Sequence, residues 1–229
     1  KLYFMAGFPG ERDDDIYAIW ELANAVSLER QQINKPPADV TASVGWLVPK
    51  PFTPMQWMAQ PPLEYFQEVH RKLRQLSNER GAHITFDRKG GYGSAAALAE
   101  ETENLFFDPR NTRGKRGGRR SRVRIQMHDP ERSLLEGVFA RGDRRLAPVI
   151  EDAWRRGARF DGWDEGFDYG HYLRAFDHTG IDPAYYAHRE RPIGERLPWD
   201  HIGLHMPQRF LERGYEDIFT QIGVPLPVA

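Results

Sequence analysis

Two apolar runs that each stop abruptly in a Gly/Pro turn constrain this chain most. The first is Leu2-Tyr3-Phe4-Met5-Ala6-Gly7-Phe8-Pro9-Gly10-Glu11, and the second is Val44-Gly45-Trp46-Leu47-Val48-Pro49-Lys50-Pro51-Phe52-Thr53-Pro54. A helix-like segment follows each. Strand, turn, helix, strand is the rhythm of α/β units whose strands lie parallel. Residues 2–7 read as a strand that is apolar on both faces, as buried parallel strands are. Asp13, Asp14 and Asp15 then supply N-cap and first-turn carboxylates that suit a helix dipole. Ile16, Ile19, Trp20, Ala23 and Val26 recur at helical spacing and predict a helix over 15–26. Lys35-Pro36-Pro37 breaks the chain before a second strand over 40–48. The two strands are expected side by side and parallel, with a right-handed crossover. The first strand opens at Lys1 without an initiating Met, so the chain reads as the C-terminal piece of a longer protein.

Further along, Leu63, Phe66, Val69, Leu73 and Leu76 mark one side of a second helix, with Gly81 as its stop signal and a short strand over 82–86. Composition then changes. Lys89-Gly90-Gly91-Tyr92-Gly93-Ser94 and Thr112-Arg113-Gly114-Lys115-Arg116-Gly117-Gly118-Arg119-Arg120 are Gly-rich and charged, and the stretch reads as a mobile insertion with a short helix over 94–105. Val123, Ile125 and Met127 alternate with Arg122, Arg124 and Gln126, the pattern of a half-exposed strand. From Pro130 onward the spacing is helical, with segments over 133–141, 145–157 and 171–179. The organisation is therefore 1–87 as βα units, 88–121 as insertion and 122–229 as a mostly helical C-terminal domain.

Composition excludes several classes of function. The chain has no Cys, which rules out disulfides, thiolate nucleophiles and Cys-ligated zinc or iron–sulfur clusters held by this chain. A net charge of −1 provides no global field for nucleic acid or an anionic membrane. The Arg/Gly tract at 112–120 carries no interleaved aromatics and reads as a solvated loop. A non-catalytic RNA- or partner-binding module built on that tract is the alternative. No apolar run approaches the roughly 18 residues of a membrane span, and the composition suits a cytoplasmic protein.

Several side-chain groups have chemical potential. Arg141, Arg144 and Arg145 flank Asp143, and guanidinium forks suit carboxylates and phosphates. The competing reading is a local ion network that fixes the turn, with Glu136 or Asp161 as further partners. Asp161, Asp164, Glu165 and Asp168 surround Trp163 and Phe167, either as a cation site or as an acidic loop capping the next helix. His128 could meet His201 in space as an acid–base pair or as metal ligands. Trp163 and Trp199 read as core or capping aromatics.

The two strand–turn segments together resemble the radical S-adenosylmethionine (radical SAM) superfamily. The first is similar to the late barrel strand whose glycine-containing motif packs on the adenine of the cofactor, with Met5 at the aliphatic position and Gly7 and Pro9 following. The acidic residue of that motif falls one place late, at Glu11. The second is similar to the sixth barrel strand, with Val48 and Pro49 on the adenine side. Arg141-Gly142-Asp143-Arg144-Arg145, Phe160-Asp161-Gly162-Trp163-Asp164-Glu165 and Leu197-Pro198-Trp199-Asp200-His201-Ile202 resemble the C-terminal region of one family in that superfamily, whose members often carry an N-terminal cobalamin-binding-like domain. The resemblance implies the end of a partial TIM-type barrel, followed by the helical domain. It implies an enzyme that cleaves S-adenosylmethionine at a [4Fe–4S] cluster to form a 5′-deoxyadenosyl radical, with cobalamin as a further possible cofactor. The cluster's three Cys ligands would lie upstream. It also implies an unidentified substrate, for which Arg141, Asp143, Arg144 and Arg145 are the candidate contacts.

Overall fold

The computed structural model describes residues 1–80, 83–84, 121–163, 165–203, 205 and 207–227. Residues 88–120 of the expected 88–121 insertion, its helix over 94–105 and the Gly81 stop lie outside the described residues. Four strands, all parallel, form one sheet: β1 (Leu2–Ala6), β2 (Asp39–Trp46), β3 (His83–Ile84) and β4 (Arg122–Met127), in the order β1-β2-β4-β3. β1 and β2 are neighbours as expected, with Tyr3 opposite Ser43 and Met5 opposite Gly45. The helix between them, α1 (Asp13–Glu29), outruns the 15–26 stripe at both ends. Its start is held by Asp15, whose Oδ2 accepts the Arg12 N–H at 2.8 Å. Its end runs on into a 3₁₀ turn over Arg30–Ile33, closed by Asn34 in the left-handed region.

Strand parity sorts the sheet into two unlike faces. Ala6, Val40, Ala42, Val44, Trp46, Val123, Ile125 and Met127 are buried on one side. There they pack against Ile16, Ile19, Trp20 and Ala23 of α1 and Phe66, Val69, Leu73 and Leu76 of α2 (Leu63–Arg80). The other face carries Tyr3, Met5, Thr41, Ser43, Gly45, Arg124 and Gln126, of which Tyr3 is 76% and Met5 50% exposed. The expectation that residues 2–7 are buried on both faces is therefore corrected. Parallel strands are apolar throughout only where helices cover both sides, and here the described helices cover one. The alternation expected for β4 is present.

β1, β2 and β4 keep the sequence order that barrel strands follow, whereas the two-residue β3 lies outside β4. Beyond β4 the chain is helical: α3 (Pro130–Ala140), α4 (Ala147–Arg155), α5 (Tyr169–Thr179), α6 (Pro183–Ala187) and α7 (Gln208–Ile222). Carboxylate side chains start several of them. Asp129 accepts from the Glu131 and Arg132 amides, Asp168 from Gly170 and Asp182 from Ala184. Gly180 and Gly223, both left-handed, end α5 and α7. One apolar cluster joins α3 to α6 around Val149, Ala175 and Phe176. Another gathers Trp57, Leu197, Trp199, Leu211 and Tyr215, so that α7 packs on the turn that follows β2. Among the described residues no helix is long and apolar enough to cross a membrane.

Candidate functional site

The C-terminal edge of a parallel sheet is where backbone and loops converge on ligands. Here β1, β2 and β4 end together. The Leu47 N–H donates to Ala6 O at 2.8 Å, and Trp46 Nε1 donates to His128 O at 2.8 Å. At the β1 exit Gly7 has φ +106°, and a Cβ there would sit 3.3 Å from Pro61 and 3.4 Å from Leu47 and Phe66. Glycine is thus required by backbone conformation and by packing against the protein itself. The Gly7 N–H donates to Glu11 Oε2 at 2.9 Å, and the Tyr65 hydroxyl donates to the same oxygen. Burial pushes the Glu11 carboxyl up, with the Gly7 hydrogen bond opposing. Glu11 therefore closes its own turn.

The five residues expected near an adenine separate accordingly. Met5 is half-exposed on the open face and Val48 and Pro9 are partly exposed, whereas Gly7 and Pro49 are buried. Met5 and Val48 can offer side-chain surface to a ligand. Gly7 and Pro49 can only shape the walls.

One group at this edge escaped the sequence reading. Glu131, in the first turn of α3, is 6% exposed and its carboxyl is pushed up to about 7. Burial is the main cause, and the Asp129 and Asp168 carboxylates add to it. Such a carboxyl exchanges its proton near neutrality, as acid–base groups must. A first-turn Glu after an Asp-Pro start looks like ordinary helix capping in sequence, and Asp168, which adds to its shift, comes from the distant start of α5.

The Arg141–Arg145 segment divides into two functions. Arg141 is 0% exposed and donates to Met58 O and Ala187 O, which ties the turn after β2 to the end of α6. Burial lowers it to about 9, and the neighbouring Arg191 adds to the effect. It is a structural tie and is out of reach of a substrate. Arg145 clasps Asp143, with Nη2 to Oδ2 at 2.6 Å, and stacks near Tyr185 and Tyr186. Glu136 pairs instead with Lys50, and Asp161 accepts from the Tyr172 hydroxyl, so neither joins the arginines.

Asp143 and Arg144 do line a cleft of about 560 Å³, together with Gly142, Arg196, Leu197, Pro198 and His201. Two segments singled out in the sequence, 141–145 and 197–202, thus meet in one cleft. The second is held in a tight turn: the Leu197 N–H donates to Asp200 Oδ2 at 2.7 Å, and buried Trp199 donates to Gln56 Oε1 at 2.8 Å. Residues 49–53 do not line the cleft.

Other expectations end in structure. Asp168 caps α5, and Asp164 lies outside the described residues. Trp163 is 70% exposed, which corrects its reading as a core aromatic, whereas Trp199 is buried as expected. His128 and His201 are both exposed, and no group of three potential ligands gathers among the described residues. No family model, curated protein or solved structure matches the chain.

Proposed function

We propose that this chain is the C-terminal part of a radical SAM enzyme, forming the last strands of a partial barrel and a helical layer beside its mouth. The observation that carries the reading is the one-sided sheet. A doubly wound sheet buries both faces under helices, whereas a barrel keeps helices outside and turns its other face to the lumen. Tyr3, Met5, Thr41, Gly45, Arg124 and Gln126 have the polarity and exposure of such a lumen face, and Ser43 among them is buried. Next to it, the Gly7–Gly10 and Val48–Pro54 exits adjoin at the strand ends, as the resemblance requires.

The fit of the cofactors differs. Met5 and Val48 suit the flat apolar side of an adenine, and Gly45 opposite Met5 leaves space above the sheet. No residue of this chain suits the iron–sulfur cluster, because there is no Cys. When bound, S-adenosylmethionine and the cluster would supply the radical chemistry. This chain's residues would orient the adenosyl group and exclude water, and Glu131 would hold or release a proton beside the β4 exit.

The test is anaerobic. A longer protein that contains this chain and supplies the cluster, reduced in the presence of S-adenosylmethionine, is expected to release 5′-deoxyadenosine. Val48→Asp should weaken S-adenosylmethionine binding at least about tenfold, or about 1.4 kcal/mol. Cluster-loaded protein that makes no 5′-deoxyadenosine overturns the reading.

A further inference from the structure

The cleft between the turn after α3 and the 196–201 turn is lined by more basic than acidic groups. The protein has 33 acidic and 32 basic residues, so carboxylates are not scarce. Several arginines elsewhere find them: Arg155 pairs with Glu151 at 2.7 Å, Arg156 with Asp152 at 2.5 Å and Arg189 with Glu195 at 2.6 Å. Arg144 and Arg196 line the cleft and make no hydrogen bond or ion pair among the described residues.

The one carboxylate in the wall, Asp143, is already engaged. Both of its oxygens accept from Arg145, and Oδ1 also accepts the Arg145 amide at 2.9 Å. That pairing holds its carboxyl below the usual range. Its charge is largely neutralised and the wall is left net positive.

His201 adds an acceptor to the lining. Its Nδ1 faces Pro198 O at 2.9 Å. A carbonyl only accepts, so Nδ1 carries the proton and Nε2 is the nitrogen left for a ligand. Leu197 and Pro198 give the cleft an apolar side. Gly142 contributes bare backbone, because a Cβ there would collide with Leu146 at 2.2 Å. The volume lies in the range of small-molecule sites.

We infer that this cleft binds a phosphate group, free or as the monoester of a small molecule. Two guanidinium forks can each take a pair of oxygens of a tetrahedral dianion. Where the phosphate carries a proton, that P–OH donates to His201 Nε2, and the Leu197–Pro198 side accepts the apolar part of an ester. The site belongs to the helical half and does not depend on the barrel reading, since phosphate binding needs neither cofactor nor turnover.

The experiment is a calorimetric titration of the full chain with inorganic phosphate, then with a phosphomonoester such as AMP, at fixed ionic strength in chloride. Saturable binding is expected. Arg144→Ala and Arg196→Ala should each weaken it about tenfold or more, with unchanged melting temperatures. Arg155→Ala, a paired arginine outside the cleft, should leave it unchanged. Tighter binding of the ester than of phosphate identifies a small-molecule ligand, and equal binding identifies phosphate itself. Absence of saturation with both probes, equal loss in Arg155→Ala, no loss in Arg196→Ala, or tighter binding of citrate than of either probe overturns the proposal.

Discussion

The sheet half and the helical half of this molecule are held together by different means. Between β1, β2, β4, α1 and α2 the contact is apolar, and Ser27 is the buried polar residue there among those described. At the seam with the helical half, and within it, Gln56, Gln60, Glu131, Ser133, Arg141 and Arg191 are all buried. Segment 57–60 is tied to 186–191 by two directional bonds, Gln60 N–H to Ala187 O at 2.7 Å and Arg191 N–H to Trp57 O at 2.8 Å, and to α3 by Gln60 Nε2 to Ser133 O at 2.8 Å. An apolar core fixes that elements pack, whereas buried hydrogen bonds fix where they sit. The polar seam lies between the strand exits and the cleft, the two places where a ligand would be positioned.

The largest test of this contrast pairs Phe66→Ala with Arg141→Ala. Phe66 is 0% exposed and its ring lies 4.7 Å from that of Trp46, so truncation should cost about 3–5 kcal/mol. Arg141→Ala should cost a comparable amount, about 3–5 kcal/mol, by breaking a buried charged network. The distinguishing variant is Arg141→Met. It refills the volume and removes a costly charge, but leaves the Met58 carbonyl unpaired, at about 1–3 kcal/mol, and the Ala187 carbonyl with only the Gln60 amide. Urea denaturation should therefore find Arg141→Met well below wild type. Wild-type stability for that variant would mean that the seam is held by packing, and the contrast between the halves would fail.

A second test uses pH. Burial pushes the folded Glu131 carboxyl up to about 7, against an ordinary value of 4.5. An acid whose folded value is raised stabilises the fold below its unfolded value, and that contribution is lost as pH rises through the folded one. Stability should therefore fall between about pH 4.5 and 7. Each unit is worth about 1.4 kcal/mol per proton, and partial solvent screening reduces the total to about 2 kcal/mol. Asp129 and Asp168 lie nearby, so the informative quantity is the difference from Glu131→Gln, which should lack this part of the slope. Parallel profiles of the two proteins from pH 4.5 to 8 would remove Glu131 as the source.

What could be read in sequence differed between the halves for the same reason. Periodicity reports apolar burial, so β1, α1, β2, α2 and β4 were legible, with only their ends displaced. It cannot report what a polar residue will meet. Arg141, Arg144 and Arg145 look alike in sequence, yet one is buried, one is unpaired in a cleft and one is clasped to Asp143. Gly7 looks like an opening for a ligand because glycine permits close approach. The body that approaches it is Pro61, from a turn more than fifty residues away. Leu211, Tyr215 and Phe219 mark α7 at helical spacing, but its place depends on Trp57 and Trp199, which no local pattern connects.

The smallest expected effect concerns the bare face of the sheet. Tyr3 and Met5 project from β1 on the side away from α1 and α2, and their exposures of 76% and 50% leave little area to lose. Tyr3→Ser and Met5→Ser should therefore change the stability of this chain by no more than about 0.5 kcal/mol, the range of surface substitutions. Phe4, one residue along and packed against the core cluster, should be much less tolerant. If the bare face is a barrel lumen, Met5→Ser should also weaken S-adenosylmethionine binding in the longer protein while this chain's melting temperature stays unchanged. A loss of more than about 1 kcal/mol in the chain itself would mean that Met5 is buried by packing in solution. The one-sided sheet, and the functional reading built on it, would then have to be abandoned.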